Sequence, residues 1–270
     1  MNVSDKKLKC GFIGLGSQGA PIAKRMLDGG FSTALWARRQ ETLSPFRSGK
    51  GIFATAPELL AETVDYVGIC VSGDDTVVSL CNRLIPHMNK GSYIVVHSTV
   101  LPSTCEKLSK DAQARGLHLV DAPVSGGGPA AAKGELTVMV GSDPRDLSAI
   151  RPVLETFASR IFHMGSIGSG QKAKLINNAL MAGIMGLTHS AVKAGVGHGL
   201  ARESFIELLS VSSANSFALD VYSRIPESGQ FHRSQTLLEK VSLLAQVLGG
   251  HHPTSKALSE AAHLIEMNES

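Results

Sequence analysis

From Leu8 to about Gly165, short apolar runs alternate with stretches of helical periodicity. The runs at 9–13, 32–36, 66–71, 93–97, 117–121, 136–140 and 161–163 read as strands, and the stretches at 20–28, 57–62, 74–88, 102–115 and 144–158 as helices. Several of these helices open with an acid or a proline in the first turn, as helix starts prefer. Such alternation predicts a mostly parallel sheet with helices on both faces. Past Gly170 no strand pattern recurs; helical periodicity returns at 202–210, 234–248 and 253–266, separated by turn-rich segments. Between the two halves, 168–199 lacks proline and reads as one helix, far longer than the mean of about 11 to 12 residues. From Ala179 to Leu187 it is apolar or small all round, which predicts burial on every side. Gly183 and Gly186 each cost roughly 1 kcal/mol of helix propensity against alanine, so a closely packed backbone is expected beside them. The pattern therefore predicts a Rossmann-type, doubly wound α/β domain over 1–167. A long interdomain helix then opens an all-α domain over 168–270.

Composition narrows the function classes. At 270 residues, two domains are the prior. Hydrophobic residues at 43%, charged residues at 18% and a net charge of +3 without a basic run do not suggest a nucleic-acid binder, and no such partner is expected. Cys10, Cys70, Cys81 and Cys105 form no CxxC pair and read as reduced core residues. His251-His252 sits among turn residues, His97 ends a strand, and no HExxH spacing occurs, so no metal site is expected. No apolar run approaches the roughly 20 residues of a membrane span, and Met1–Lys7 holds no apolar leader; no membrane partner and a cytoplasmic location are the expectations.

Two stretches carry candidate cofactor chemistry. Gly11-Phe-Ile-Gly14-Leu15-Gly16-Ser17-Gln18-Gly19 contains GxGxxG between a strand and a helix. In that context Gly14 permits the tight turn, Gly16 lets the backbone approach a pyrophosphate, and Gly19 lets helix and strand pack closely. The helix start offers amides and a favourable dipole to phosphate. At the end of the second strand, where an NAD-preferring site carries an acid for the ribose, the sequence reads Leu35-Trp36-Ala37-Arg38-Arg39. Two guanidiniums there suit a 2′-phosphate. NADP(H) is thus expected over NAD(H), which remains possible.

Two further stretches carry candidate substrate chemistry. Asp121-Ala-Pro-Val-Ser125-Gly126-Gly127-Gly128 follows a strand, and its amides can form a concave nest for a carboxylate. Lys174 and Asn178, four residues apart, share one helix face. By themselves they fit either a site or a core helix whose polar residues reach solvent at its start.

In their order and spacing, Gly11–Gly19, Asp121–Gly128 with Gly134-Glu-Leu136, and Gly168-Ser-Gly-Gln-Lys-Ala-Lys174-Leu-Ile-Asn-Asn178 resemble the β-hydroxyacid dehydrogenase family. That family includes 3-hydroxyisobutyrate dehydrogenases and tartronate and glyoxylate/succinic semialdehyde reductases, and is related to 6-phosphogluconate dehydrogenase. The resemblance implies that Lys174 is the catalytic acid/base, with Lys172 pointing elsewhere, and that Asn178 orients the substrate. It makes Ser125, Gly126 and Gly127 the carboxylate loop, and places Val71, Ser72, Thr99 (of Ser98-Thr99) and Lys240 along the cofactor. It further implies a small carboxylate-bearing substrate and a homodimer or homotetramer. Departures are Gln18 for a usual Met, Arg25 for Asn, Val96 for Asp before Ser98, Val241 for Asp after Lys240, and a chain end at Ser270 without the usual tail. The expectation is an NADP-preferring oxidoreductase interconverting a small β-hydroxy acid and its oxo acid or semialdehyde. The alternatives are an imine reductase-like enzyme, against which the intact Lys174 and Asn178 argue, and a catalytically silent dinucleotide-binding scaffold or sensor, which Val241 favours.

Overall fold

The computed structural model describes residues 7–47, 49, 51–224 and 234–264. Two compact units divide the chain, Met1–Lys174 and Leu175–Ser270. In the first, β1 (Cys10–Ile13), β2 (Thr33–Trp36), β3 (Ile52–Phe53), β4 (Tyr66–Ile69), β5 (Tyr93–Val96) and β6 (His118–Asp121) pair in parallel in the order β3-β2-β1-β4-β5-β6. Two short antiparallel joins extend the sheet, from β6 to β8 (Leu136–Gly141) and from β8 to β7 (Val124–Ser125). β9 (Ala158–Gly165) then pairs with β8 in parallel. Helices α1 (Gly19–Asp28), α2 (Pro57–Ala61), α3 (Asp74–Leu84), α4 (Pro102–Gln113), α5 (Gly127–Lys133) and α6 (Pro144–Leu154) connect the strands.

Strand periodicity sorts the core into two layers. Phe12, Leu35, Val95 and Val120 join the cluster that includes Ile22, Met26, Ile150 and Phe157 of the α1 and α6 side. Their neighbours Ile13, Ala34, Val67, Ile94, Val96 and Leu119 join the cluster that includes Leu60, Leu80, Leu84 and Leu108 of the α2, α3 and α4 side. Alternate residues of each strand face opposite layers, which is why the strands read as continuous apolar runs. All four cysteines are free and lie in or against these layers, and burial pushes the Cys10 and Cys81 thiols up to about 12, leaving them unreactive.

The parallel sheet and the strand-free helical region match expectation, and four short elements do not. β3 and β7 are two-residue strands, too short for periodicity to register. α5 begins Gly-Gly-Pro, residues with poor interior propensity, and α9 (Phe217–Ser223) is seven residues, started by Ser216 accepting from the Leu219 amide. α6 also stops at Leu154, and 158–160 belong to β9 instead.

The long helix, α7 (Ser169–Gly197), is present as a single element of 29 residues. After it come α8 (Arg202–Val211), α9, α10 (Ser234–Leu248) and α11 (Pro253–His263). A Cβ at Gly186 would stand 1.8 Å from the Ala261 carbonyl oxygen, and one at Gly183 would be 3.1 Å from Leu258, so both glycines mark the close crossing of α11. The expectation of burial on every side fails. Ala179, Ala182 and Met185 are buried, but Ile176, Leu180 and Leu187 are 45%, 49% and 56% exposed. Spaced by four and seven, these three form an outward stripe, while the small residues take the packed side. By length and composition alone an 18-residue window of α7 also reaches a mean hydropathy of 1.2, a test for membrane spans that core helices pass as well. Continuous apolar runs understate this, because Asn178, Thr188 and His189 interrupt them without lowering the average much.

Candidate functional site

The end of β1 turns at Gly14, whose φ is 97°; a Cβ there would lie 2.1 Å from the Cys70 carbonyl oxygen. At Gly19 a Cβ would lie 1.9 Å from the Gly14 carbonyl, so these two glycines are required by the fold itself. Gly16 is different: a Cβ there meets nothing within 4 Å. Gln18, before α1, makes no side-chain cap; the Ala20 amide donates to the Gly16 carbonyl at 3.0 Å and Pro21 has no N–H, so the helix start offers a ligand its dipole and the amides before Ala20. Open space over exposed Gly16, at the start of α1, fits a dinucleotide pyrophosphate. Leu15 is buried as a core anchor, Ser17 is exposed and Gln18 half-buried. Arg38 and Arg39 follow β2, both exposed, and neither makes an ion pair among the described residues.

The next strand ends are laced together. Ser98 Oγ accepts from the Val71 amide at 2.8 Å, so the Ser98 side chain ties the β4 turn to the β5 turn. Val71 is half-buried, Ser72 exposed and Thr99 half-buried on this edge. Beneath them His97 is buried between Tyr66, whose hydroxyl lies 3.0 Å from Nε2, and the Ala122 carbonyl, 2.9 Å from Nδ1. Burial lowers its pKa from 6.5 to about 4, so it is neutral, donating from Nδ1 and accepting at Nε2.

The Ser125 segment is not the bare loop the sequence suggests. Ser125 closes β7, pairing with Thr137, and Gly126 and Gly127 turn with φ of 127° and 72° into α5. A Cβ at Gly128 would lie 2.5 Å from the Ser17 carbonyl, so this segment packs directly on the glycine turn after β1. Nearby, Arg25 donates to the Thr156 carbonyl at 2.9 Å, and Gly134 leaves room for its guanidinium, which accounts for arginine at that place in α1.

Asp121, at the end of β6, is fully buried and was not expected to act individually. One carboxylate oxygen accepts from the Gly168 amide at 2.6 Å and the other from the Gln171 amide at 2.7 Å, anchoring the start of α7. Burial raises its pKa to about 6, opposed by these amide donors. Gln171 is buried too and reaches Ser98 and Val100. The available sequence signal was an acid at a strand end and a glutamine inside a glycine-rich helix start.

One turn on, Lys174 is 8% exposed and Asn178 5%, and the Asn178 Nδ2 has no hydrogen-bond partner among the described residues. Lys172 lies on another face, exposed and 3.4 Å from Glu106. Lys240 falls in α10, its side chain outside the described residues; its neighbour Val241 is buried against Leu175, Ala179 and Leu244, where a carboxylate would be costly. A cleft of about 470 Å³ lies elsewhere, lined by His118, Asp146 and His163, and includes none of the candidate residues.

Comparison with known proteins bears on this arrangement. Residues 9–165 match the model of the NAD-binding domain of 6-phosphogluconate dehydrogenase. Residues 168–240 match the NAD-binding domain of NADP-dependent 3-hydroxyisobutyrate dehydrogenase. The chain is 39% identical over 175 residues to an oxidoreductase of Mycobacterium tuberculosis, covering 64% of this chain but only 59% of that protein. It is 33% identical to the mitochondrial 3-hydroxyisobutyrate dehydrogenase of Rattus norvegicus, over 96% of this chain and 81% of the relative. The fold superposes on a Mycobacterium tuberculosis 3-hydroxyisobutyrate dehydrogenase solved with L-serine at a TM-score of 0.85 and 20% identity, covering 98% of this chain and 100% of that one. With that NAD-binding domain model over more than half its length and 33% identity across 81% of the rat enzyme, the chain belongs to the 3-hydroxyisobutyrate dehydrogenase/β-hydroxyacid dehydrogenase family.

Proposed function

We propose that this chain is an NADP(H)-preferring oxidoreductase that interconverts a small β-hydroxy acid and its oxo acid or semialdehyde. The observation that carries this reading is the buried pair on α7: Lys174, and one turn later Asn178 with a buried side-chain amide unmatched among the described residues. An unmatched buried donor costs about 1–3 kcal/mol, a cost a bound substrate hydroxyl or carbonyl would offset. The nicotinamide, when bound, supplies the hydride chemistry. Lys174 as an ammonium stabilises charge developing on the substrate oxygen and gives it a proton in reduction; as an amine it takes the hydroxyl proton in oxidation. Ser125, Gly126 and Gly127 hold the substrate carboxylate with side-chain hydroxyl and backbone amides. Gly14 through Gly19 hold the pyrophosphate, and Val71, Ser72, Thr99 and Lys240 flank the cofactor. Arg38 and Arg39, where an acid would favour NAD, support NADP.

The rat relative's 3-hydroxyisobutyrate and the L-serine of the mycobacterial structure are both carboxylates with a hydroxyl on the β-carbon. The same class is proposed here. The exposed stripe Ile176, Leu180 and Leu187 supports packing of a second copy, as a homodimer or homotetramer. NADPH and NADH oxidation against a panel of semialdehydes and oxo acids, with Lys174→Ala beside the parent, tests the reading. Lys174-dependent NADPH oxidation is expected. Cofactor binding without turnover on any member would favour the sensor reading instead.

A further inference from the structure

Gln171 and Asp121 lie outside the groups assigned above, yet they make the most specific polar contacts at the start of α7. The Gln171 side-chain amide spans Thr99: its Nε2 donates to the Ser98 carbonyl at 2.8 Å, and its Oε1 accepts from the Val100 amide at 3.1 Å. Asp121 accepts from the Gly168 and Gln171 amides, doing for α7 from another strand what an N-cap residue does from within the chain. The fit leaves no slack. A Cβ at Gly141 would lie 2.3 Å from Asp121 Oδ1, and one at Gly170 would lie 2.3 Å from the Met139 carbonyl.

These contacts form one chain of hydrogen bonds: Val71 amide to Ser98 hydroxyl, Ser98 carbonyl to Gln171 side chain, Gln171 amide to Asp121. Asp121 continues through Ala122 and Pro123 into the Ser125 segment. Lys174 stands three residues after Gln171, on the same side of the helix one turn later.

We infer that Gln171 and Asp121 are positioning residues: a buried clamp that fixes the register of Lys174 against the Ser98-Thr99 turn and the Ser125 segment. The inference rests on Lys174 as the acid/base. Among the described residues neither clamp side chain hydrogen-bonds to the glycine turn after β1, so the clamp acts on the placement of Lys174 and of the Ser98-Thr99 turn more than on the pyrophosphate end of the cofactor. Glutamine is suited because it presents a donor and an acceptor on one planar group; glutamate would set an oxygen against the Ser98 carbonyl, and methionine would satisfy neither partner. A displacement of Lys174 by about 1 Å is enough for a rate loss of about 100-fold.

The test measures kcat, KM and NADPH Kd for Gln171→Met, Gln171→Glu, Asp121→Asn and Lys174→Ala, with melting temperature as a check of folding. The expected result for each folded clamp variant is a fall in kcat of about 10- to 100-fold that clearly exceeds any accompanying loss of NADPH affinity through the Thr99 turn. A kcat within twofold of the parent overturns the clamp, as does a loss of NADPH affinity matching the loss of rate, the sign of a merely structural role. Should Asp121→Asn fail to fold, the Gln171 variants decide. Turnover retained by Lys174→Ala overturns the acid/base reading; turnover lost there but kept by Gln171→Met and Gln171→Glu overturns the clamp alone.

Discussion

Gly16→Ala separates the fold from the cofactor site. The three glycines after β1 look alike in sequence but differ in what a methyl group would meet. At Gly14 the methyl would fall 2.1 Å from the Cys70 carbonyl at a φ of 97°, and at Gly19 1.9 Å from the Gly14 carbonyl. Strain in the left-handed region adds about 1–2 kcal/mol at Gly14. At Gly16 the methyl meets nothing within 4 Å, and the backbone is not in the left-handed region, so the folded state gains no clash. If a pyrophosphate fills that space, the methyl overpacks the complex by about 1–3 kcal/mol. That corresponds to roughly 5- to 150-fold in NADPH Kd, at about 1.4 kcal/mol per decade. Fluorescence titration with NADPH and thermal melting of both variants make the comparison: Gly16→Ala is expected to melt with the parent but bind weakly, and Gly14→Ala to melt early. Parent-like NADPH binding by a stable Gly16→Ala would refute the cradle.

Gly186→Ala tests the helical unit: overlap with the Ala261 carbonyl costs about 1–3 kcal/mol and the propensity gain returns about 1, so the melting temperature should fall by a few degrees. Gly197→Ala, with nothing within 4 Å, should not fall, and equal behaviour of the two would remove the close crossing of α11. For pH, the folded pKa of His97 is lowered from 6.5 to about 4, so its contribution is complete above 6.5 and lost as pH falls toward 4, about 3 kcal/mol in all. Asp121, raised from 3.8 to about 6, has the opposite sign: its ionisation removes stability as pH rises through that window. The two offset each other in the parent, so urea unfolding of Asp121→Asn at pH 7.5 and 5 should expose a loss of about 2 kcal/mol on acidification. Equal stability at the two pH values would contradict a buried neutral His97.

The parallel sheet was legible because strands buried on both faces must be apolar throughout, and 66–71 or 93–97 leave no other reading. Gly183 and Gly186 were legible for a similar reason, since a costly residue in a helix has to be explained by a neighbour. The burial of α7 was not. Composition says that Ile176, Leu180 and Leu187 are apolar, but not whether this chain or a second copy covers them. The polar lacing was hidden as well. Asp121 and Gln171 are 50 residues apart, and no local spacing says that a carboxylate closing β6 caps a helix beginning at Ser169. Arg25 looked like a departure because its partner, the Thr156 carbonyl, lies 131 residues away.

The fold also explains why the motifs keep their order without being near one another in sequence. Each closes an element whose end must meet another backbone. Gly14 meets the Cys70 carbonyl, Gly128 the Ser17 carbonyl, and Gly170 the Met139 carbonyl. Side chains are excluded at all three contacts, so the glycine-rich segments are the places where β1, β4, β7, β8 and the start of α7 can approach within backbone distance. Gly16 alone among the glycines of the three motifs has open space instead of a protein neighbour. Packing therefore accounts for Gly14, Gly19, Gly128 and Gly170 without any ligand, and the geometric support for a bound dinucleotide rests on Gly16 at the start of α1. That asymmetry places the test of function at one methyl group on residue 16.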